Sequence, residues 1–414
     1  MVIPCWLFSQ QVFPVVLTTG KVYQVTQQKT SYTFDSGRYT VFIPDGVQEL
    51  RGVLVHQHGC TMEGRGAATA FDVQYQALAK KWGLAIVGPD LYSAKGNCHD
   101  WRNPESGSGE ALIDALTAVG RLSGHPELAG SPWLLWGHSG GGYWALSMLR
   151  IYPERIIGVF GYSPAFEPGA YPAKALKVPV MMRHAGPSGD ACCWRTSITE
   201  FGKLRNAGGY VSIAYTPYQN HNYSWVRYMA IPFFESVLQQ RLPVGTGKDY
   251  HALRDMDPAQ AWLGDTTSYN ISPVAAYNGQ RKNACWFSDS LTAARWREYV
   301  ITGTLIDRTP PPAPYATKIQ RRHNVTVALY WKADADVESG ISHFNIYKDG
   351  QWVQRYPATG VFQHFDTNGD DAIPLTVPLL QTDLTYLWNE SGKISISTVN
   401  AAGLESARTP FPSR

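Results

Sequence analysis

Along the first part of the chain, apolar and polar positions follow two periodicities. KVYQVTQQ from Lys21 and GRYTVFIP from Gly37 alternate, as strands with one covered face do. GVLVHQHG, LAIVGPD, PWLLWG, IIGVFGYSP, VPVMMRHAG and VSIAYTPY are more continuously apolar. That pattern predicts parallel strands covered on both faces. Between these runs lie amphipathic stretches of helical spacing, FDVQYQALAKKW, GEALIDALTAVGRL and RTSITEFGKLRNAGG. The last ends on glycines, a common helix stop. Two opening strands and then repeated strand–helix units predict an α/β domain over about residues 21–242, a mostly parallel sheet flanked by helices.

The pattern changes twice more. Residues 243–309 hold Trp262, Trp286 and Trp296 and a capped helical stretch, SDSLTAARWREYV. The segment is too apolar for disorder and too long for a bare loop, so it is expected to pack on the first domain. Pro310 to Pro314 read PPPAP, a stiff spacer. Beyond it VTVALYWKA, ISHFNIYKDG, VFQHFD and KISISTVNAAG alternate in short runs between turn residues. Those runs predict a small all-β sandwich within residues 310–414. The first twenty residues are apolar but lack a basic start and carry Gln10 and Gln11. They read as an atypical or remnant export signal, or as an N-terminal segment packed on the body.

Gly137-His138-Ser139-Gly140-Gly141 fits G-x-S-x-G, preceded by the strand PWLLWG and followed by the helix GGYWALSMLRIYPER. In such a turn the serine adopts strained backbone angles, and side chains two residues to either side would collide. The turn lifts the hydroxyl clear of the sheet and aims the Gly140 amide at a developing oxyanion. A serine nucleophile needs a base, and the base an orienting acid, here in the chain order serine, acid, histidine. Asp190, just past VPVMMRHAG, is the only carboxylate between Glu167 and Glu200. His221 follows VSIAYTPY. Ser139, Asp190 and His221 are therefore expected on one edge of the sheet, where open α/β sheets place their sites. Glu167 is the alternative acid. His184 comes too soon before Asp190 for the chain order and reads as a packing residue or a support for the acid. His56-Gln57-His58-Gly59-Cys60-Thr61 ends an early strand, and the loop after that strand supplies the second oxyanion amide. Cys60 N–H is the first choice and Thr61 the next, with His58 bracing the loop.

With these residues in place, the first domain resembles the α/β-hydrolase superfamily of serine hydrolases. His58-Gly59-Cys60-Thr61 and Cys98-His99-Asp100-Trp101 further resemble motifs of the secreted feruloyl esterase and polyhydroxyalkanoate depolymerase group. That resemblance implies a Cys60–Cys98 disulfide beside the oxyanion loop. It also implies carboxylic ester substrates, aromatic acyl groups or polyesters among them. Gly140 departs from the Ala or Met common after the serine in such enzymes, which puts polymer cleavage in doubt. Tyr92, Trp101, Trp194 and Trp225 are candidates to line a substrate groove, or else belong to the core. From about Pro314 to Thr409 the tail resembles a fibronectin type III domain, through VALYWKADAD, SGISHFNIYKDG and ISTVNAAGLES. In secreted hydrolases such modules space or present a catalytic domain. This implies an extracellular setting and a carbohydrate or polymer surface as a possible contact of the tail.

Composition narrows the field. The formal charge is +3, from 36 basic and 33 acidic residues, with no basic run, so nucleic acid is not an expected partner. No apolar run is long enough to span a bilayer. Six cysteines, Cys5, Cys60, Cys98, Cys192, Cys193 and Cys285, contain no C-x-x-C pair, which argues against a zinc ribbon. Cys192 and Cys193 are adjacent beside Asp190. A bond within the pair would be strained, and pairing of one of them with Cys285 or Cys5 stays open. The sequence thus predicts a serine esterase that needs no metal or organic cofactor. A serine peptidase on the same scaffold, an acyltransferase, and a binding or adhesion protein that works through the tail remain alternatives.

Overall fold

The computed structural model describes residues 11–13, 19–60, 66–94, 96, 98–164, 169–221, 226–242, 249–323, 326–362, 380–385 and 392–412. Nine strands form one sheet: β1 (Gln11–Phe13), β2 (Gly20–Gln27), β3 (Ser36–Pro44), β4 (Gly52–Gln57), β5 (Leu84–Tyr92), β6 (Trp133–His138), β7 (Ile156–Tyr162), β8 (Val180–His184) and β9 (Val211–Tyr215). Their order is β1-β2-β3-β5-β4-β6-β7-β8-β9. The strands from β1 to the β3–β5 pair are antiparallel, and every pairing from β5–β4 onward is parallel. Setting aside the short edge strand β1, this is the order of an α/β-hydrolase fold, with its crossover between β3, β5 and β4.

Among the described residues, eight α-helices accompany the strands: α1 (Gly66–Phe71), α2 (Val73–Trp82), α3 (Ser108–Ser123), α4 (Gly140–Ile151), α5 (Gly186–Gly189), α6 (Ala191–Asn206), α7 (Arg227–Arg241) and α8 (Ser290–Thr302). Because helices cover the parallel strands, those strands have no wet face. Val53, Leu54 and Val55 of β4 and Leu134 and Leu135 of β6 are all fully buried. This is the physical cause of the continuously apolar runs. Helix α2 starts where Asp72 accepts hydrogen bonds from the Gln74 and Tyr75 amides, and it stops at Gly83 in the left-handed region.

Residues 249–309 pack on this body, and Met256, Ala261, Leu263, Ala284 and Trp286 form a small apolar cluster with Tyr210. Strands β10 (Trp262–Gly264), β11 (Ile271–Pro273) and β12 (Cys285–Phe287) make a small antiparallel sheet. Trp296 of α8 is fully buried and donates its indole N–H to the Ile213 carbonyl of β9 at 2.9 Å. Cys285, Phe287, Trp296 and Tyr299 belong to the same apolar cluster as the main sheet.

The C-terminal strands are β13 (Tyr315–His323), β14 (Thr326–Lys332), β15 (His343–Lys348), β16 (Gln351–Tyr356), β17 (Gln381–Thr385), β18 (Ile394–Val399) and β19 (Thr409–Pro410). They form two antiparallel sheets, ordered β13-β14-β17 and β16-β15-β18-β19. Trp331, Phe344 and Phe362 pack edge to face between them. That core also takes in Val73 and Ala77 of α2. Gln74 Nε2 donates to the Val337 carbonyl at 2.9 Å, and Lys80 Nζ lies 2.7 Å from Asp334 Oδ2. Among the described residues, no helix is long and apolar enough to cross a membrane.

Candidate active site

Ser139 occupies the turn between β6 and α4 with φ 51° and ψ −114°. An L-residue at positive φ away from the left-handed minimum is strained. The space around it explains the glycines. A Cβ on Gly137 would lie 2.1 Å from the Gly141 carbonyl oxygen, and one on Gly141 would lie 2.1 Å from that of Gln57. Backbone packs on backbone here, and no side chain fits. The Ser139 amide donates to the Tyr162 carbonyl at 2.8 Å, which ties the turn to the end of β7. The Ser139 residue is part exposed while its neighbours His138 and Gly140 are buried.

Asp190 and His221 come together at the neighbouring strand ends. Asp190 follows α5, past the end of β8, and is 3% exposed. His221 follows β9, and its Nδ1 lies 2.6 Å from Asp190 Oδ1. Burial pushes the Asp190 carboxyl up. The His221 hydrogen bond, the His184 ring and the Ser163 hydroxyl outweigh this and hold it down at about 2. The loop carrying His221 is also tied to the serine turn: His138 Nε2 donates to the His221 carbonyl at 2.8 Å, and the two rings lie 5.0 Å apart. Burial pushes His138 down to about 3, so it is a neutral strut. Among the described residues no hydrogen bond joins Ser139 Oγ to His221; such bonds often tighten only around substrate.

The oxyanion candidates are adjacent too. Gly140 N–H opens α4 and has no acceptor within the helix. A Cβ on Gly140 would lie 2.3 Å from Cys60 Sγ and 3.5 Å from Cys60 N. Cys60 is joined to Cys98 by a disulfide. The bridge therefore rests directly on the Gly140 backbone, which gives a steric reason for glycine after the serine. His58 is fully buried. Its Nδ1–H donates to the Gly59 carbonyl at 2.6 Å and its Nε2 accepts from the Leu91 amide at 3.4 Å. This imidazole holds the loop.

No protein-family model matches the chain, and a comparison with curated proteins finds no match. Solved structures do match. A thermostable esterase is 15% identical, with TM-score 0.36 over 46% of this chain, which spans 53% of that protein's length. An S-formylglutathione hydrolase from Staphylococcus aureus is 13% identical, with TM-score 0.36 over 57% of this chain and 98% of that one. A ferulic acid esterase is 16% identical, with TM-score 0.38 over 53% of this chain and 97% of that one.

The aromatic candidates separate. Trp101 does not line a groove: it is fully buried, with its ring edge-on to His58 at 5.4 Å. Composition cannot tell a core indole from an exposed one. Tyr92 is 51% exposed. Trp194 is half-buried, stacked on Tyr215 at 4.9 Å and edge-on to His184 at 5.4 Å. Thr61, Glu167 and Trp225 lie outside the described residues, as does Cys5.

Three further residues support the site, and of these the sequence singles out only His184, as a packing residue or a support for the acid. His184 is fully buried, with Nδ1 3.0 Å from Asp190 Oδ2; burial pushes it down to about 4 despite the carboxylate. Arg183, also fully buried, donates to the Asn220 carbonyl at 2.8 Å and to Gln219 Oε1. It thereby clamps the segment leading into His221. Ser163, at φ 46°, donates its amide to the Arg183 carbonyl at 2.8 Å and accepts from Arg183 Nη1 at 3.5 Å, and its hydroxyl helps to lower the Asp190 pKa. None of the three belongs to a motif, and their partners are set by strand adjacency.

Proposed function

We propose that the chain is a serine hydrolase of carboxylic esters that works through an acyl-enzyme. The observation that carries this reading is a part-exposed serine at φ 51° in a strand–helix turn whose neighbour, His138, hydrogen-bonds the segment that bears a histidine–aspartate pair 2.6 Å apart. In this reading His221 takes the Ser139 proton as Oγ attacks the ester carbonyl. The Gly140 and Cys60 amides receive the oxyanion, a role worth about 3 kcal/mol per donor. His221 then protonates the leaving alcohol. Asp190 keeps the imidazole in the Nδ1–H tautomer, and water releases the acyl group. Depression of the Asp190 pKa to about 2 supports a permanently ionised orienting acid.

The finer reading is an acyl group of aromatic, feruloyl type presented near Tyr92 and Trp194, handled outside the cell. The Cys60–Cys98 disulfide supports an oxidising setting. The three- and four-stranded sheets around Trp331 support a fibronectin type III-like tail, which would meet a carbohydrate or polymer surface.

The test is a panel of esters, from short aliphatic through feruloyl to insoluble polyester, with Ser139→Ala as the blank. Hydrolysis is expected to vanish in S139A while circular dichroism stays unchanged. Undiminished turnover in that variant refutes the assignment. A fluorophosphonate that fails to label Ser139 in the native chain does the same.

A further inference from the structure

Cys192 and Cys193 are not used by the mechanism above, yet they sit on its acid. Cys192 Sγ lies 3.3 Å from Asp190 Oδ1, the same oxygen that holds His221. The two sulfurs are 2.6 Å apart, and both thiols are free. The Asp190, Cys192 and Cys193 ligand atoms all lie within 4.8 Å of one another. Cys192 is exposed, while Cys193 and Asp190 are buried, so the cluster is open to solvent on one side. Asp190 is the residue before α6, and its side chain makes no capping bond to that helix. The carboxylate therefore faces the sulfurs and the histidines, not the helix amides.

We propose that Asp190 Oδ1, Cys192 Sγ and Cys193 Sγ form a clamp for a soft divalent cation of the zinc or cadmium type, and that its occupation silences the Asp190–His221 pair. The silencing half rests on the hydrolase reading; the binding half does not. Two thiolates select a soft ion over magnesium or calcium. At 2.6 Å the two sulfurs stand well inside ordinary contact, so a disulfide is the competing occupant of this place; it needs Cβ atoms about 3.8 Å apart, while a helix turns successive side chains about 100° from each other. A cation bound at about 2.3 Å to each sulfur holds them roughly 3.8 Å apart, which rotation of either side chain supplies without unwinding α6. Binding is a substitution with no change of oxidation state. The cation forms two metal–sulfur bonds and one bond to Asp190 Oδ1, gives up a bound water for each, and the two thiol protons leave to solvent. Burial pushes both thiols up, so at neutral pH they rest protonated and the ion must displace those protons. Once the ion takes Oδ1, His221 Nδ1 loses its partner.

The experiment titrates cadmium into the full chain without substrate, following the sulfur-to-cadmium charge-transfer absorption and the heat. One equivalent is expected to bind to the native chain. Cys192→Ser/Cys193→Ser should lose the band and weaken binding by about tenfold or more, while Cys285→Ser keeps both. Should the double variant fail to fold, Cys192→Ser alone is expected to show the same loss, since that side chain is exposed. Ester hydrolysis by the native chain is expected to stop with cadmium and return with a chelator, and hydrolysis by the double variant to be indifferent. A band undiminished in the cysteine variants overturns the clamp. So does a native chain that binds no cadmium, or thiol counting that finds Cys192 joined to Cys193. A chain that binds cadmium as described but hydrolyses no ester upholds the clamp and overturns the hydrolase reading instead.

Discussion

The two halves of the proposed site are held in different ways. Around Ser139 the geometry is set by backbone: Gly137 against Gly141, Gly141 against Gln57, and Gly140 under the Cys60–Cys98 bridge. Around Asp190 and His221 it is set by side chains: Arg183 under the loop, His184 beside the carboxylate, and His138 on the His221 carbonyl. A position defined by backbone contact demands glycine and so leaves a mark in the sequence. A position defined by side-chain hydrogen bonds can be met by many residues and leaves none.

Four changes would break or sharpen this contrast. The largest effect is expected on the side-chain half. Asp190→Asn should lower kcat by about 10⁴-fold, because the His221 tautomer is no longer fixed, with circular dichroism unchanged. On the backbone half, replacing both Cys60 and Cys98 by Ala opens a bridge that spans 38 residues. Chemical unfolding is expected to show a loss of about 4 kcal/mol. A loss in activity alone, with stability unmoved, would mean that the bridge acts only on the oxyanion loop.

The third prediction concerns acid. His184 has its folded-state pKa depressed from 6.5 to about 4, so the unfolded chain takes up this proton first. Its contribution is complete above pH 6.5 and is lost as pH falls towards about 4, to the extent of about 3 kcal/mol. His184→Gln should flatten that part of the stability–pH curve, measured by denaturant unfolding at stepped pH. Between pH 3.8 and about 2 the depressed Asp190 carboxyl adds a further loss, which the variant retains only in part because the His184 ring is one of the groups that hold this carboxyl down. The smallest effect is expected at Lys80, whose ion pair with Asp334 is partly exposed. Lys80→Ala should cost less than about 1 kcal/mol, read from the shift in the unfolding midpoint.

Legibility followed the same division. The continuous runs from GVLVHQHG to VSIAYTPY mark β4 to β9 because both faces of those strands are covered. Asp190 was readable as the single carboxylate in its stretch. The start of α6 was not: it begins at Ala191, before the periodic run from Arg195, because Ala-Cys-Cys-Trp carries no helical spacing and no capping bond announces it. Trp101 was open to misreading for a related reason, since an indole looks alike in a core and at a groove. The partnership of His184 with Asp190 depends on how β8 ends over α5, which no local pattern encodes.

Helix α2 serves two cores at once, lending Val73 and Ala77 to the C-terminal sandwich while Tyr75, Leu78 and Ala79 face the main sheet. Cutting the chain at its proline spacer would strip the outer side of this helix and leave oily patches in water. A shortened catalytic fragment made for convenience should therefore be stickier and poorer in yield than the whole chain, and a polar residue at Val73 or Ala77 is the first remedy to try.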